Sequence, residues 1–323
     1  SNALAQTLSS VKMLSTEITV VATGCDVRVK AEEARALPPF KLVLTDRRDP
    51  THWEADAIAM AFNTAFLDRT PSGSASHVVL IAEGSKLSSD AAQFYWNTAR
   101  LMQTDSSVWC SAALNEEGVG TSSANDALRS DLPPTVSGFM LSHHTWDQLS
   151  ANWASIKDGQ WRTAVTQMTT GRHCVYPHVS RQAVQQSCGN ADRRHDRNSR
   201  RPFYRGQVRM TPDVFTLLVR PVYEQMVKRL IAQGNVMSAP VSSSAVTKTS
   251  TQIGVHIVPY SAREAKGWAK YLFGGDEMGT FDGATVVHFA KGHTTLVLLR
   301  DDSPLVTPAL RQLCSSLGHT GFS

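Results

Sequence analysis

Short aliphatic and β-branched runs, each followed by a polar turn, recur along the first eighty residues. Residues 18–22 and 40–45 are two of these runs, and both end in a turn that contains aspartate. Residues 77–81 form a third run, which leads into Ala82-Glu83-Gly84. A short apolar run bounded by turn residues is typical of a strand buried in a parallel sheet. The pattern therefore predicts three such strands.

Between these runs the apolar residues recur at helical spacing. One helix is predicted over residues 53–66, and another runs to Leu101 with Ser88 or Ser89 as its cap. Alternating strands and helices indicate an α/β fold, a three-layer domain with a mainly parallel sheet. Ligands of such sheets bind outside the carboxyl ends of the strands, although polar residues there are also common turn formers. The residues in question are Cys25, Asp26, Asp46 and Glu83.

The second half of the chain begins with a different pattern. Residues 182–209 lack apolar periodicity and are rich in Asn, Asp, Gln and Arg, which predicts a long surface loop. Thr211-Pro212-Asp213 then predicts a helix start, and Pro221 is expected to end or kink that helix before it resumes. A strand, a helix and two hairpin strands are predicted at 255–259, 261–273, 285–290 and 293–299.

These patterns divide the 323 residues into four parts. Residues 1–16 are expected to be a cloning remnant, Ser1-Asn2-Ala3, followed by a tail. Residues 17–182 form the predicted α/β domain, 183–209 an arginine-rich linker, and 210–323 a smaller C-terminal α+β domain. No apolar run is long enough to cross a bilayer, so membrane attachment is expected only through an anchor upstream of Ser1.

Charge is concentrated in the predicted linker. The net charge is +4 at pH 7, and the linker contains the cluster Arg193, Arg194, Arg197, Arg200 and Arg201. Such a run is typical of a solvated loop, and it is also a feature to which an acidic partner binds. No aromatic residues alternate with it, so the sequence has no clear nucleic-acid signature. Five cysteines leave the redox compartment open.

Several motifs occur in a fixed order along the chain. They are the strand with Ala82-Glu83-Gly84, Trp109-Cys110-Ser111-Ala112, Asn115-Glu116-Glu117-Gly118, Gly171-Arg172-His173-Cys174 and Ser180-Arg181. In this order they resemble the N-acetylglucosaminyltransferase I family, which also includes the protein O-mannose N-acetylglucosaminyltransferases. The resemblance extends from about residue 17 to about residue 302. It implies a GT-A fold, with His173 and His178 expected to be half-buried sheet residues.

The resemblance also implies a site and a compartment. Family members are inverting transferases that use UDP-N-acetylglucosamine and manganese. Nucleotide contacts carry over to Cys25, Asp26, Arg28 and Asp46, with Glu83 from the acidic triplet. A disulfide between Cys110 and Cys174 is implied by the family pattern, and with it the lumen of the Golgi or the secretory pathway.

The residues that carry the family's chemistry are largely replaced. The acidic triplet reads Ala82-Glu83-Gly84, so Glu83 is the only remnant of the metal site and a role for manganese is doubtful. The family's general base is an aspartate in a Trp-Asp-Asp-Trp segment, where this chain has Gln160-Trp161-Arg162-Thr163. Asp158 is the nearest carboxylate and a weak candidate for the base. No metal-ligand set is predicted.

Three functions are compatible with these observations. The favoured one is a degenerate glycosyltransferase-like protein, a pseudoenzyme that binds a glycan, a sugar nucleotide or a protein partner. The second is an active UDP-N-acetylglucosamine-dependent transferase with a rearranged metal and base, acting on a glycan or glycoprotein acceptor. The third is an interaction module for acidic ligands, built on the arginine-rich linker. The sequence leaves open whether the chain is an enzyme.

Asp46 provides the first test. If a uridine pocket is retained, its carboxylate accepts the uracil N–H, so Asp46→Ala abolishes UDP binding. Thermal stability without ligand stays nearly unchanged, as expected for a turn residue. Thermal shift at millimolar UDP measures both quantities. Equal UDP-induced stabilisation in the variant and the wild type would contradict the assignment.

Overall fold

The computed structural model describes residues 19–22, 41–44, 53–67, 69–70, 73–81, 85–115, 127–134, 138–153, 156, 161–184, 212–238, 253–273, 277–289 and 294–322. Everything below refers to these residues. They form a mixed α/β structure, as the alternation of strands and helices predicts. A first pair of strands, β1 (Thr19–Ala22) and β2 (Lys41–Leu44), is parallel, as expected from its apolar pattern.

The central sheet has five strands in the order β5-β9-β7-β10-β8. These are β5 (His77–Leu80), β7 (Val108–Ala112), β8 (Ala127–Ser130), β9 (Phe139–Ser142) and β10 (His173–Pro177). Only β7 and β10 pair in parallel, and the other three pairings are antiparallel. The prediction of a mainly parallel sheet is therefore wrong for these strands. An apolar run indicates burial on both faces, which antiparallel strands under helices also have, and it carries no information about direction.

Helices cover both faces of this sheet. They are α1 (Trp53–Leu67), α2 (Ala91–Thr104), α3 (His143–Trp153) and α4 (Trp161–Met168). On one face α1 and α3 meet through Phe62 and Trp146, whose ring centroids are 5.1 Å apart. On the other face α2 buries Phe94 and Leu101. Successive residues of β9 alternate between the two cores, as the period of a strand requires.

The start of α2 differs from the prediction. Asp90, and neither Ser88 nor Ser89, occupies the N-cap, and its side chain makes no capping hydrogen bond. Its carboxylate instead accepts from Ser88 Oγ at 2.6 Å and from Arg181 Nε at 2.8 Å. A distant ion-pair partner thus replaces the local capping interaction that the sequence suggested.

Short strand pairs lie beside the central sheet. β3 (Arg69–Thr70) pairs with β4 (Gly73–Ser74), and β6 (Ser85–Leu87) pairs with β11 (Gln182–Val184), both antiparallel. The predicted loop at 182–209 therefore begins with a strand, and regular structure continues to Val184 rather than ending at residue 182. Three residues that pair with a segment almost a hundred positions away leave no periodic signal.

The C-terminal part forms a four-stranded sheet in the order β12-β13-β15-β14. Its elements are α5 (Pro212–Leu217), α6 (Arg220–Gln233), β12 (Asn235–Val236), β13 (Gly254–Tyr260), α7 (Ala265–Phe273), β14 (Ala284–Phe289), β15 (Thr294–Arg300), α8 (Pro308–Ser316) and a 3-10 turn (Thr320–Phe322). β14 and β15 are antiparallel, as the predicted hairpin requires. Pro221 lies in the first turn of α6, where its missing N–H costs no helical hydrogen bond.

One hydrophobic core spans both halves of the chain. Phe94 of α2 and Val175 of β10 belong to the same buried cluster as Phe215, Val227 and Val297 from beyond the predicted linker. The ring centroids of Phe94 and Phe215 are 6.2 Å apart. The segments before and after the predicted linker therefore stabilise each other directly. In the described part of the chain, no helix combines the length and apolar character needed to cross a membrane.

A disulfide joins the two parallel strands at the centre of the main sheet. Cys110 of β7 and Cys174 of β10 are bonded, with their Cα atoms 4.6 Å apart, and both are fully buried. The pairing that the family pattern implied is present in the structure. It links positions separated by 64 residues.

Removing this bond is expected to lower the free energy of unfolding by about 4 kcal/mol, because an unfolded chain without the cross-link gains loop entropy. Urea denaturation of the Cys110→Ala/Cys174→Ala variant measures the loss. Cys314→Ala is the matched control, since Cys314 is equally buried but free. A double variant as stable as this control would contradict the prediction.

Candidate functional site

Three strands of the central sheet end at one edge, where the sequence places the crevice. The segments that follow these strands are joined by backbone hydrogen bonds. Gly138 N–H donates to the carbonyl of Leu80 at 2.8 Å, and Ala113 N–H donates to the carbonyl of Gly138 at 2.9 Å. Arg181 N–H donates to the carbonyl of Ala113 at 2.7 Å. We call this boundary, from Leu80 to Arg181, the carboxyl edge.

Gly138 can only be glycine at this edge. Its φ is +73°, and a Cβ atom would lie 1.4 Å from Gln182 Oε1. Tyr95 Oη donates to its carbonyl at 2.8 Å, and Gln182 Nε2 donates to Ser85 Oγ at 2.7 Å. Burial raises the pKa of Tyr95 above its ordinary value, which keeps the hydroxyl protonated as a donor. The middle of the carboxyl edge is thus filled by neutral polar groups.

Asn115 and Ser180 form hydrogen bonds that connect the turns after β7 and β10. Asn115 N–H donates to Ser180 Oγ at 3.0 Å. Asn115 Nδ2 donates to the carbonyls of Pro177 at 2.8 Å and His178 at 3.2 Å. The amide that opens the Asn-acidic-x-Gly motif therefore holds the two turns together.

Arg181 forms a buried ion pair at the same edge. Its Nε lies 2.8 Å from Asp90 Oδ2, and both side chains are almost completely buried. Arg181 Nη1 also donates to the carbonyl of Val179 at 2.7 Å. Breaking such a pair would leave an uncompensated buried charge, so both groups serve the fold. The positive charge of Arg181 therefore compensates the negative charge of the Asp90 carboxylate.

Most of the predicted site residues fall outside the described residues. They are Cys25, Asp26, Arg28, Asp46, Glu83, Asp158, Arg193, Arg194, Arg197, Arg200 and Arg201. Their assignments stay predictions. Ile81 and Ser85 are described on either side of the triplet that contains Glu83.

The described side chains of the carboxyl edge do not fit a manganese ion. Mn²⁺ prefers several hard oxygen ligands, above all carboxylates. Ser85, Asn115 and Gln182 are neutral and hydrogen-bonded, and Asp90 is paired with Arg181. Across the described ranges, no cluster of three or more His, Cys, Asp or Glu residues could hold a metal.

The segment in which the resemblance places the family's general base contains an arginine that contacts two other segments. Arg162 lies in the first turn of α4, next to Trp161, whose ring is 6.1 Å from that of Phe139. Arg162 Nη2 donates to the carbonyl of Pro133 at 2.7 Å, and Nη1 lies 3.3 Å from Glu277 Oε2. A guanidinium cannot accept a proton, so this position cannot perform base catalysis.

The Gly-Arg-x-Cys motif is structural in this chain. Gly171 has a φ of +74°, and its carbonyl accepts from Arg220 Nη1 at 2.8 Å. Arg172 donates to the carbonyl of Ser106 at 3.1 Å and to Gln148 Oε1 at 3.0 Å. With Cys174 in the disulfide, the motif connects the main sheet to α3 and to α6.

A buried arginine joins the two halves of the chain. Arg129 of β8 donates through Nη1 to Asp105 Oδ2 at 2.8 Å and to the carbonyl of Leu218 at 2.9 Å. Its Nη2 donates to Ser107 Oγ at 2.6 Å, and Asp105 Oδ2 also accepts from Arg220 N–H at 2.8 Å. Burial disfavours the Asp105 carboxylate, but the hydrogen bonds from Ser107 and Arg220 and the charge of Arg129 outweigh it and lower its pKa.

Sequence reasoning missed this cluster. Arg129 is not among the residues that the sequence analysis singled out. The one available signal was a charged residue inside a short strand flanked by Leu128 and Ser130, because a charge in such a strand needs a partner.

The two histidines of the β10 region are more buried than predicted. His173 and His178 were expected to be half-buried, but their exposed fractions are 2% and 8%. His173 Nδ1 lies 3.5 Å from Arg129 Nη2, and the ring of His178 is 5.2 Å from that of His288. Burial, followed by the charges of Arg129 and Arg220, lowers the pKa of His173 to about 3. Burial, followed by the charge of His288, lowers the pKa of His178 to about 3.

The mixed α/β fold and the motifs at its carboxyl edge are compatible with a glycosyltransferase-like protein. A model of the GNT-I family matches residues 55–194. Over this segment the chain is similar to the GNT-I family. The matched segment contains the disulfide, the Asn115–Ser180 contact and the Arg181–Asp90 pair.

The neutral buried histidines predict acid sensitivity. Their folded pKa of about 3 lies below the ordinary value of 6.5, so the folded state binds fewer protons between these limits. Stability is then fully present above pH 6.5 and falls as the pH drops toward 3, by up to about 1.4 kcal/mol per pH unit for each histidine.

Urea denaturation at several pH values tests this. His173→Gln is expected to be less stable at neutral pH but to lose less stability on acidification. His144→Gln is the control, because His144 is exposed. A slope against pH in His173→Gln equal to that of the wild type would refute the assignment.

Proposed function

We propose that this protein is a degenerate member of its family that binds a sugar nucleotide, a glycan or a protein partner without transferring sugar. The main support is the presence of Arg162 where a general base is expected. Inverting transfer needs a group that takes a proton from the acceptor hydroxyl. In the segment where the resemblance places that group, Arg162 donates a hydrogen bond to the carbonyl of Pro133 and forms an ion pair with Glu277.

The second support is that no suitable metal site is formed by the residues that the structure describes. A divalent cation neutralises the diphosphate leaving group in transferases of this type. The triplet Ala82-Glu83-Gly84 supplies one carboxylate, and the described side chains of the carboxyl edge supply neutral groups instead. No step through a metal is therefore assigned to this chain, and manganese is not expected to assist ligand binding.

The ligand follows from the family and from the remaining polar residues. UDP-N-acetylglucosamine is the donor that the family uses, and Cys25, Asp26, Arg28 and Asp46 are the residues proposed to contact its nucleotide. The edge between β5 and β10 is where an α/β sheet presents such residues. Glycans or glycoproteins are the partners proposed for the acceptor side.

The proposed location is the lumen of the Golgi or the secretory pathway. The Cys110–Cys174 bond supports it, because disulfides persist in oxidising compartments. The family match supports it as well.

Two alternatives remain. The first is an active transferase with a different base. Glu277 lies 3.3 Å from Arg162, and Asp158 lies four residues before Arg162 in the chain, so either carboxylate is a candidate for that base. The second alternative is an acidic-ligand module built on Arg193, Arg194, Arg197, Arg200 and Arg201.

Calorimetry with UDP and UDP-N-acetylglucosamine, with and without Mn²⁺, tests the proposal. We expect binding whose affinity changes less than about tenfold with Mn²⁺, because Gly84 offers no ligand and Glu83 is a lone carboxylate. A manganese-dependent gain of about tenfold or more would restore the active-transferase reading.

Release of UDP in the presence of glycan acceptors is the second readout. We expect none from the wild type. If UDP is released, Glu277→Gln and Asp158→Asn distinguish the two candidate bases, and the one that abolishes release identifies the base. Arg162→Gln is the control, because a glutamine amide cannot act as a base.

A further inference from the structure

One tryptophan of α2 is exposed to water. Trp96 is 68% exposed, although tryptophan has one of the largest apolar surfaces among the side chains. It lies on the side of α2 opposite to Phe94 and Leu101, which are buried in the core. In the described part of the chain its indole has no hydrogen-bond or ring partner. The ring is therefore accessible to a ligand.

Gln93 and Arg100 lie along the same side of the helix as Trp96. They are three residues before it and four residues after it, so successive Cβ atoms are about 5–6 Å apart. Arg100 is exposed, and within the described ranges its guanidinium forms no hydrogen bond or ion pair. Gln93 Nε2 donates to Asn97 Oδ1 at 3.5 Å, which leaves Gln93 Oε1 as an acceptor. We call Gln93, Trp96 and Arg100 the outer triad.

The charge of Arg100 has no counter-charge on its own helix. Residues 91–104 contain no aspartate and no glutamate. The carboxylates at the two ends of α2 are both engaged in buried ion pairs, Asp90 with Arg181 and Asp105 with Arg129. Arg100 therefore keeps a positive charge that an anionic ligand can contact.

Small and polar side chains surround the exposed ring. Ala92 and Ala99, four residues before and three residues after Trp96, border it with single methyl groups. A stable protein interface has an apolar centre, and a helix that inserts into a membrane has several apolar residues on one face. The other exposed residues of α2 are polar, namely Arg100, Gln103 and Thr104. A single ring among them suits a small, flat apolar surface instead.

We propose that the outer triad binds an acidic sugar, a pyranose ring that carries a carboxylate. The C–H groups on one face of a pyranose have partial positive charge, and they pack against the negative face of the Trp96 indole. The carboxylate accepts two parallel hydrogen bonds from the Arg100 guanidinium. A hydroxyl on the opposite side of the sugar donates to Gln93 Oε1.

The combination of groups selects this class of ligand. A neutral sugar makes no use of the Arg100 charge, and a simple anion makes no use of the Trp96 ring. Uronic acids and sialic acids both join a pyranose to a carboxylate, so both are tested. No member of the outer triad belongs to the carboxyl edge, and sugar binding here is therefore independent of the UDP binding proposed there.

Ligand-detected NMR titrations of the full chain test the proposal with two matched pairs of sugars. Methyl glucuronide is compared with methyl glucoside, and sialyllactose with lactose. We expect an acidic sugar to bind about threefold to fivefold more tightly than its neutral counterpart, because an exposed ion pair contributes on this scale. The pair that shows the difference identifies a uronic or a sialic acid as the ligand. Equal affinities within both pairs, or no binding of any sugar, would overturn the proposal.

Arg100 variants test the charged contact. Arg100→Gln is expected to abolish the preference for the acidic sugar and to leave binding of the neutral sugar unchanged. Arg100→Lys keeps the charge but not the paired hydrogen bonds, so it retains part of the preference. Arg229→Gln is the matched control, because Arg229 of α6 is also exposed and has no side-chain partner among the described residues. A preference that persists in Arg100→Gln, or that disappears in Arg229→Gln, would rule out this contact.

Trp96 variants test recognition of the sugar ring. Trp96→Ala is expected to weaken binding of acidic and neutral sugars alike by about fivefold, whereas Trp96→Phe keeps part of the affinity through its smaller ring. Leu217→Ala is the control, since it removes another exposed apolar side chain, which is 51% exposed on α5. If Trp96→Ala binds sugars like the wild type, the helix attracts anions without recognising a sugar, and the assignment is wrong.

The same titrations include Gln93→Ala, which is expected to weaken both members of a pair by about twofold through the loss of one hydrogen bond. All of these substitutions are on the outer side of a helix, so equal urea midpoints are expected for the variants and the wild type. A variant with a lower midpoint is compared at a temperature at which it is fully folded, so that a loss of affinity reports on the contact itself.

Discussion

The arrangement of the two halves of this protein depends on one buried guanidinium. Arg129 stands in a short strand among apolar neighbours, where its charge would be costly without compensation. Asp105 supplies the counter-charge, and the carbonyl of Leu218 supplies an acceptor from beyond the predicted linker. Asp105 in turn accepts from the first residue of α6. A single cation therefore connects the end of α2, the edge strand β8 and the start of α6. Phe281 lies over it, with 5.7 Å between Arg129 Cζ and the ring centroid.

The described residues of the family-like motifs have structural roles. Gly171, Arg172 and Cys174 each have a structural partner, as do Asn115, Ser180 and Arg181. Replacing Asn115 or Arg181 would leave a buried polar group or charge unsatisfied, which costs about 1–3 kcal/mol or more. Arg162 likewise has structural partners, the carbonyl of Pro133 and the carboxylate of Glu277.

Local patterns predicted most elements of the fold but not their pairing. The helices at 53–67 and 91–104 and the hairpin strands follow from periodicity, and the disulfide follows from the resemblance of Cys110 and Cys174 to a family motif. Strand direction in the central sheet, β11 and the Arg129 cluster depend on contacts between distant residues, which a local pattern does not encode. The predicted N-cap of α2 was wrong for the same reason, because the Asp90 carboxylate pairs with Arg181, which lies ninety-one positions later in the chain.

The shared core has a consequence for the synthesis of the protein. Val175 and Leu305 belong to one buried cluster, in which Phe215 packs against Phe94. The ribosome therefore adds about 130 residues after Val175 before the last member of this cluster, Leu305, is present. At ordinary rates of translation that interval lasts on the order of ten seconds. During this interval the apolar cluster around Phe94, Leu101 and Val175 is incomplete. A truncated chain that lacks the last strands leaves part of this cluster exposed to water.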